Sequence, residues 1–243
     1  MLSLKKIELE DIKILKAYFN AYPERQCDRS AGATAMWRDY FDNRYAVVDG
    51  TLILSSDDKF VFPIGRNTEK ALDEIEIHCK EMNIPMILCT VNKSELEKLR
   101  TRYSEFDWEA DRDWFDYLYE KEALLTLSGR KYSTPRNHIN KFRKLYQNWS
   151  FEPITEKSIS ELIEFTRNFT FNAEKDESAR LELQMCIEAL ENYDIYDMLG
   201  GILKVDGKTV GYSIGEVTGD TLFCHIEKAD ISYSGAYQML TNQ

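Results

Sequence analysis

One order of local signals occurs twice along this chain, and that repetition constrains the fold more than any single motif. Apolar residues recur at helical spacing through Ile12, Leu15, Tyr18 and Phe19 until Pro23, and a short helix is expected over residues 33–41. Three β-rich runs follow at 45–48, 52–54 and 60–64. Asp49-Gly50, between the first two, is a tight-hairpin signal because both residues tolerate positive φ. Residues 68–82 are amphipathic, 85–91 read as an apolar strand, a short helix opens at Ser94, and 113–119 alternate as an aromatic strand. From Glu122 the order restarts, with a helix over 134–146, a strand over 150–153 and helices over 156–171 and 174–190. Strands at 202–205, 209–217 and 221–228 then meander through Asp206-Gly207 and Gly219-Asp220.

The expected fold is therefore α/β (α+β) in two tandem domains, 1–121 and 122–243. Each is a mixed, mainly antiparallel sheet flanked by helices. Trp108, Trp114, Phe115, Tyr117 and Tyr119 read as packing between the halves. The second half stops early in the helix after its meander, so it is expected to be truncated. The first half, without a phosphate-binding glycine pattern, is expected to be structural.

Charge and cysteine usage narrow the function classes. Lys+Arg 31 against Asp+Glu 42 gives a net charge of -11, which excludes a uniformly basic nucleic-acid-coating protein but leaves room for a local basic patch. Five scattered cysteines without a C-x-x-C pair form neither a disulfide framework nor a zinc module. With no signal-peptide core and no apolar run of about 20 residues, the expectation is a soluble cytoplasmic protein without a transmembrane segment. No G-x-x-x-x-G-K-[ST], G-x-S-x-G or H-E-x-x-H occurs, which argues against P-loop, α/β-hydrolase and zincin chemistry.

Two segments carry candidate chemistry. Residues 123–151 contain no Asp or Glu but hold Arg130, Lys131, Arg136, Lys141, Arg143 and Lys144. Ile139, Phe142, Tyr146 and Trp149 give this helix an inward face, leaving Arg136, Asn137, Lys141 and Lys144 elsewhere. Ser133 or Thr134 can cap it, with Pro135 at its first position, so its free N–H groups suit an anion. A solvated basic face is the plainer alternative. In the second segment a strand delivers His225, Glu227 and Lys228, and a loop with Tyr233, Ser234 and Gly235 enters a helix holding Gln238. Alternation places His225 and Glu227 on one face, where they could pair as acid and base. An ordinary strand end is the alternative here.

The runs R-K-Y-S-T-P-R-N-H-I-N-K-F-R-K (130–144) and H-I-E-K-A-D-I-S-Y-S-G-A-Y-Q (225–238), with M-W-R-D-Y (36–40) and F-V-F-P-I-G (60–65), resemble the soluble bacterial proteins related to the phosphatidylglycerol lysyltransferase carboxy-terminal domain. The resemblance implies tandem GNAT-type acyltransferase folds. Residues 221–228 would be the strand that supplies backbone groups to the acyl donor, and 229–235 the loop that caps it. Ser232 stands where acetyl-coenzyme A users have Gln or Arg, and Tyr237 fills the final small position. That points from an acyl-CoA donor toward an aminoacyl-tRNA, which the basic helix would suit. The leading expectation is an acyl- or aminoacyl-transferase acting on an amine or hydroxyl of a small-molecule, lipid or peptide acceptor, with His225 or Glu227 as base and N–H groups near Lys228 as oxyanion donors. No metal is expected, and no cofactor is assigned beyond an acyl-CoA or aminoacyl-tRNA as donor substrate. The alternatives are a non-catalytic ligand- or protein-binding module on the same scaffold, and a binder of small metabolites.

Overall fold

Both Asp-Gly dipeptides turn their hairpins. Asp49 and Gly50 take φ of 49° and 72°, and Asp206 and Gly207 take 51° and 75°, as two-residue loops between right-twisted strands require. The computed structural model describes residues 2–168 and 177–243. They form a mixed α/β chain of two units, Met1–Asp116 and Tyr117–Gln243, each with one sheet flanked by helices.

In the first unit, strands β1 (Lys5–Lys6), β2 (Arg44–Val48), β3 (Thr51–Ser56), β4 (Lys59–Val61), β5 (Ile64–Gly65) and β6 (Leu88–Cys89) form one sheet in the order β1-β2-β3-β4-β6. Strands β4 and β5 both pair with β3. Pro63 lies between them and has no N–H for the ladder, so the strand is interrupted there. The helices are α1 (Ile12–Ala21), α2 (Ala31–Met36), α3 (Thr68–Met82) and α4 (Lys93–Arg102). The stripe Ala71, Ile75 and Cys79 of α3 packs on Ala46, Ile53 and Phe60. Each large side chain buried there contributes about 1.5–3 kcal/mol. Alternation gives Tyr45, Leu52 and Leu54 to the opposite face, where Tyr45 Oη donates to Asp11 Oδ1 at 2.8 Å beside the start of α1.

Two expected strands in this unit change. The run 85–91 shortens to β6, parallel to β4. The aromatic run 113–119 forms no strand. Asp111 Oδ1 accepts from Asp113 N at 3.0 Å and caps a short 3₁₀ turn at Arg112–Trp114 instead. A side chain that bonds its own backbone competes with a ladder, and here it wins. Trp114, Phe115, Tyr117 and Tyr119 are all exposed.

The second unit contains α5 (Lys121–Thr126), α6 (Ser133–Leu145), β7 (Trp149–Pro153), α7 (Ile159–Asn168), α8 (Glu177–Glu191), α9 (Tyr193–Tyr196), β8 (Leu199–Val205), β9 (Lys208–Thr218), β10 (Thr221–Ala229) and α10 (Ala236–Thr241). Parts of the helices expected over 156–171 and 174–190 lie outside the described residues. The sheet is antiparallel throughout, in the order β10-β9-β8-β7. Ile139 and Phe142 of α6 join Leu203, Val205, Ala229, Met239 and Leu240 in one core. On the other face Tyr212 meets Thr166 of α7, their hydroxyls 2.7 Å apart.

Candidate functional site

The register between β9 and β10 decides where the strand residues point. Cys224 lies opposite Gly215 and Ile226 opposite Ile214, so His225 is an extra residue in a β-bulge. His225 Nε2 is 3.0 Å from Glu216 Oε1, whereas Glu227 lies opposite Ser213. Glu216 and Ser213 are three residues apart on a strand and face opposite ways. The expected pairing of His225 with Glu227 on a shared face is therefore overturned. The bulge sends the imidazole to the α7–α8 face and leaves Glu227 on the α6–α10 face.

On the α7–α8 face the polar groups are buried and paired. The side chains of His225 and Glu216 are 2% and 4% exposed. Lys228, two residues past Ile226 and opposite Tyr212, donates from Nζ to Glu182 Oε1 at 2.8 Å. Beside this pair burial pushes the Cys186 thiol up to about 11, with Lys228 acting against it. Burial likewise raises Tyr212, opposed by its bond with Thr166. An imidazole, a carboxylate and an ammonium thus share one side of β10. Such a set can accept a proton, return it, and stabilise a developing negative charge. Glu216 was not among the expected residues. Its sequence signal is a carboxylate at the same parity as Tyr212, Ile214 and Thr218 in an otherwise inward-facing row.

On the other face Glu227 accepts from Thr241 Oγ1 at 2.6 Å. Burial raises its carboxyl above the ordinary range, and that bond only partly opposes the shift. The loop that holds the expected donor-binding residues Tyr233, Ser234 and Gly235 packs against the basic helix. Gly235 has φ of 88°, and a Cβ on it would lie 2.5 Å from the carbonyl oxygen of His138, so it lets α10 approach α6 closely. Ser234 N donates to Tyr146 Oη at 3.2 Å and Ser232 N to Asp230 Oδ1 at 2.9 Å. The Tyr233 ring packs against Tyr146 with centroids 5.2 Å apart and planes tilted by 49°, and Gln238 is half-buried on α10. The loop therefore uses these N–H groups within the protein.

The basic helix also differs from expectation at its start. It begins at Ser133 after a 3₁₀ turn over Arg130–Tyr132, so Ser133 and Thr134 lie inside the first turn and no side chain caps it. Pro135 is third, still among positions whose N–H groups lack helical partners. Arg136 Nη1 donates to the carbonyls of Leu127 and Gly129, tying the helix to the end of α5. Asn137, Lys141 and Lys144 are exposed. Arg143 lies 5.8 Å over the Trp149 ring.

Comparison with known proteins gives the chain its family. No curated protein sequence matches the chain. The crystal structure of a conserved protein of unknown function from Bacteroides thetaiotaomicron superposes with a TM-score of 0.91 at 29% identity, over 100% of this chain and 85% of that one. A C-terminal domain assigned to a lysylphosphatidylglycerol synthetase from Agrobacterium fabrum superposes at 0.58 with 11% identity, over 95% of this chain and 72% of that one, a likeness of fold. Residues 19–243 match the family described as phosphatidylglycerol lysyltransferase, C-terminal, and the chain belongs to that family.

Proposed function

We propose that the chain is an aminoacyltransferase built on two GNAT-like domains, 1–121 and 122–243, with the reacting groups in the second. The observation that carries this reading is the bulge that sets the buried His225 imidazole against Glu216, on the same side of β10 as Lys228, in a chain of this family. In the proposed reaction an amine or hydroxyl of the acceptor attacks the ester carbonyl of an aminoacyl-tRNA. His225 takes the attacking group's proton, the bond to the ribose oxygen breaks, and that oxygen receives the proton. Glu216 holds the ring, and Lys228 stabilises the oxyanion. Lys141 and Lys144 are free of side-chain tasks in the helix core and are assigned to the tRNA backbone, together with Asn137. An acyl-CoA donor is less well supported, because Gly235 serves packing and Ser232 and Ser234 spend their N–H groups internally.

The test is transfer of labelled amino acids from charged total tRNA to a mixture of lipid and peptide acceptors. His225→Ala is expected to lower the rate by about 10²-fold or more, and Lys141→Ala with Lys144→Ala to flatten the salt dependence of tRNA binding. A second reading, a non-catalytic binding module on the same scaffold, is favoured by the internally bonded loop. Binding of tRNA without transfer to any acceptor would decide for it.

A further inference from the structure

Residues 104–122 are exposed without a break, and the proposed transferase reaction does not use them. Seven of their side chains, from Phe106 to Tyr119, are large and apolar, and Tyr117 is 89% exposed. Apolar side chains scattered singly over a surface need no cover, but seven in one run mark a contact surface. The run is tied down at two points. Asp116 Oδ2 accepts from Cys27 N at 3.0 Å, and Asp111 caps the turn at Arg112–Trp114. Its charge limits what can cover it. Eight carboxylates and two cations give a net of -6, which repels nucleic acids and anionic lipid surfaces. Its rings already accept cations, with Arg100 lying 5.3 Å over Trp108 and Arg112 6.0 Å over Phe115.

A surface of matching chemistry occurs in the same chain. The stretch 123–151 carries six cations and no carboxylate, a net of +6, and Arg130, Lys131, Lys141, Arg143 and Lys144 are exposed. Among them stand two apolar side chains, Leu125 and Leu145, 53% and 54% exposed. The two stretches are therefore equal and opposite in charge, and each pairs its charge with uncovered apolar surface.

We propose that this chain pairs with a second copy of itself, the acidic aromatic run 104–122 of each molecule docking on the basic face 123–151 of the other. The carboxylates meet the lysines and arginines, while the rings cover the two leucines and the alkyl stems of the cations. Together the two stretches meet the roughly 20–30 residues per partner that a standard interface uses. Lys141 and Lys144 are also the lysines assigned above to a tRNA backbone, so the pair and a tRNA exclude one another. The pairing itself does not rest on that assignment.

Sedimentation equilibrium on the full chain, without tRNA, tests this. A dimer is expected at about 0.01 M sodium chloride, and about 1 M salt, which cuts the screening length from roughly 30 to 3 Å, is expected to weaken it about tenfold or more. Lys141→Glu with Lys144→Glu spoils the basic face, and Asp107→Lys with Glu109→Lys spoils the acidic run. All four positions are exposed, so both variants keep the fold. Each alone is expected to stay monomeric, and an equimolar mixture to form a one-to-one pair, because each supplies the surface that the other lacks. Trp114→Ala with Tyr117→Ala leaves the charge unchanged and is expected to weaken association about tenfold. A chain that is monomeric at about 0.1 mM in low salt overturns the proposal. So does a dimer indifferent to salt, a mixture of the two charge variants that stays monomeric, or undiminished association of the ring variant.

Discussion

A carboxylate in a dry interior is tolerable when a cation meets it with good geometry, and Glu95 has that in the two-pronged contact with Arg29. It also accepts from Asn92 N at 2.9 Å and closes the capping box of α4. Glu95→Ala strands the guanidinium and uncaps the helix, and urea unfolding should show a loss of about 3–5 kcal/mol. Replacing both partners by Leu and Met should recover most of that loss, and a double variant as unstable as the single one would contradict the argument. Gly235 carries a different constraint. Gly235→Ala combines a left-handed φ with a collision at the His138 carbonyl, and should cost about 1–3 kcal/mol in thermal unfolding without any ligand present. The glycine was legible as special in the sequence, but its reason was not. A phosphate and a neighbouring helix both demand the same missing Cβ, and only the packing of α6 on α10 tells them apart.

Between elements, Arg102 at the end of α4 reaches across to α3. Its guanidinium donates to Glu69 at 2.7 Å, Asp73 at 2.5 Å and Glu76 at 2.8 Å, and Tyr103 Oη donates to Glu76 at 2.5 Å. The Tyr103 bond first, and Arg102 second, hold the Glu76 carboxyl below its ordinary range. Burial and then Glu76 push Tyr103 up to about 12. A lowered carboxyl contributes stability that is present above its unfolded value and lost as pH falls through the folded one. Glu76→Gln should therefore flatten the acid limb of stability against pH in denaturant titrations, and parallel limbs would refute this coupling. At this scale the hairpins were readable because Asp-Gly chemistry is local. The bulge at His225 was not, because it depends on how β9 pairs with β10. The alternation in 113–119 failed because a strand pattern needs a partner strand, while the Asp111 cap needs only its neighbour two residues on.

Over the whole molecule the net charge of -11 and the acid-free stretch 123–151 pull in opposite directions when salt is added. Screening relieves self-repulsion in the acidic chain, so its unfolding temperature should rise with moderate sodium chloride. The same salt should weaken association of tRNA with the basic helix. Observing both trends in one preparation would separate weakened binding from loss of fold, and a tRNA affinity indifferent to salt would remove the basic helix from the proposal. Among the described residues no helix is long and apolar enough to cross a membrane. The bulge has a final consequence for how this protein can change. The ladder on either side of His225 closes with each flanking residue on the face it would occupy if the extra residue were absent. His225 is thus spliced into a finished sheet, and the architecture does not depend on it. Excising that one position, with Glu216→Gln to avoid a stranded carboxylate, should leave a chain that folds at least as firmly and has lost its imidazole. Two changes in one hairpin would then separate the durability of the sheet from the proposed chemistry.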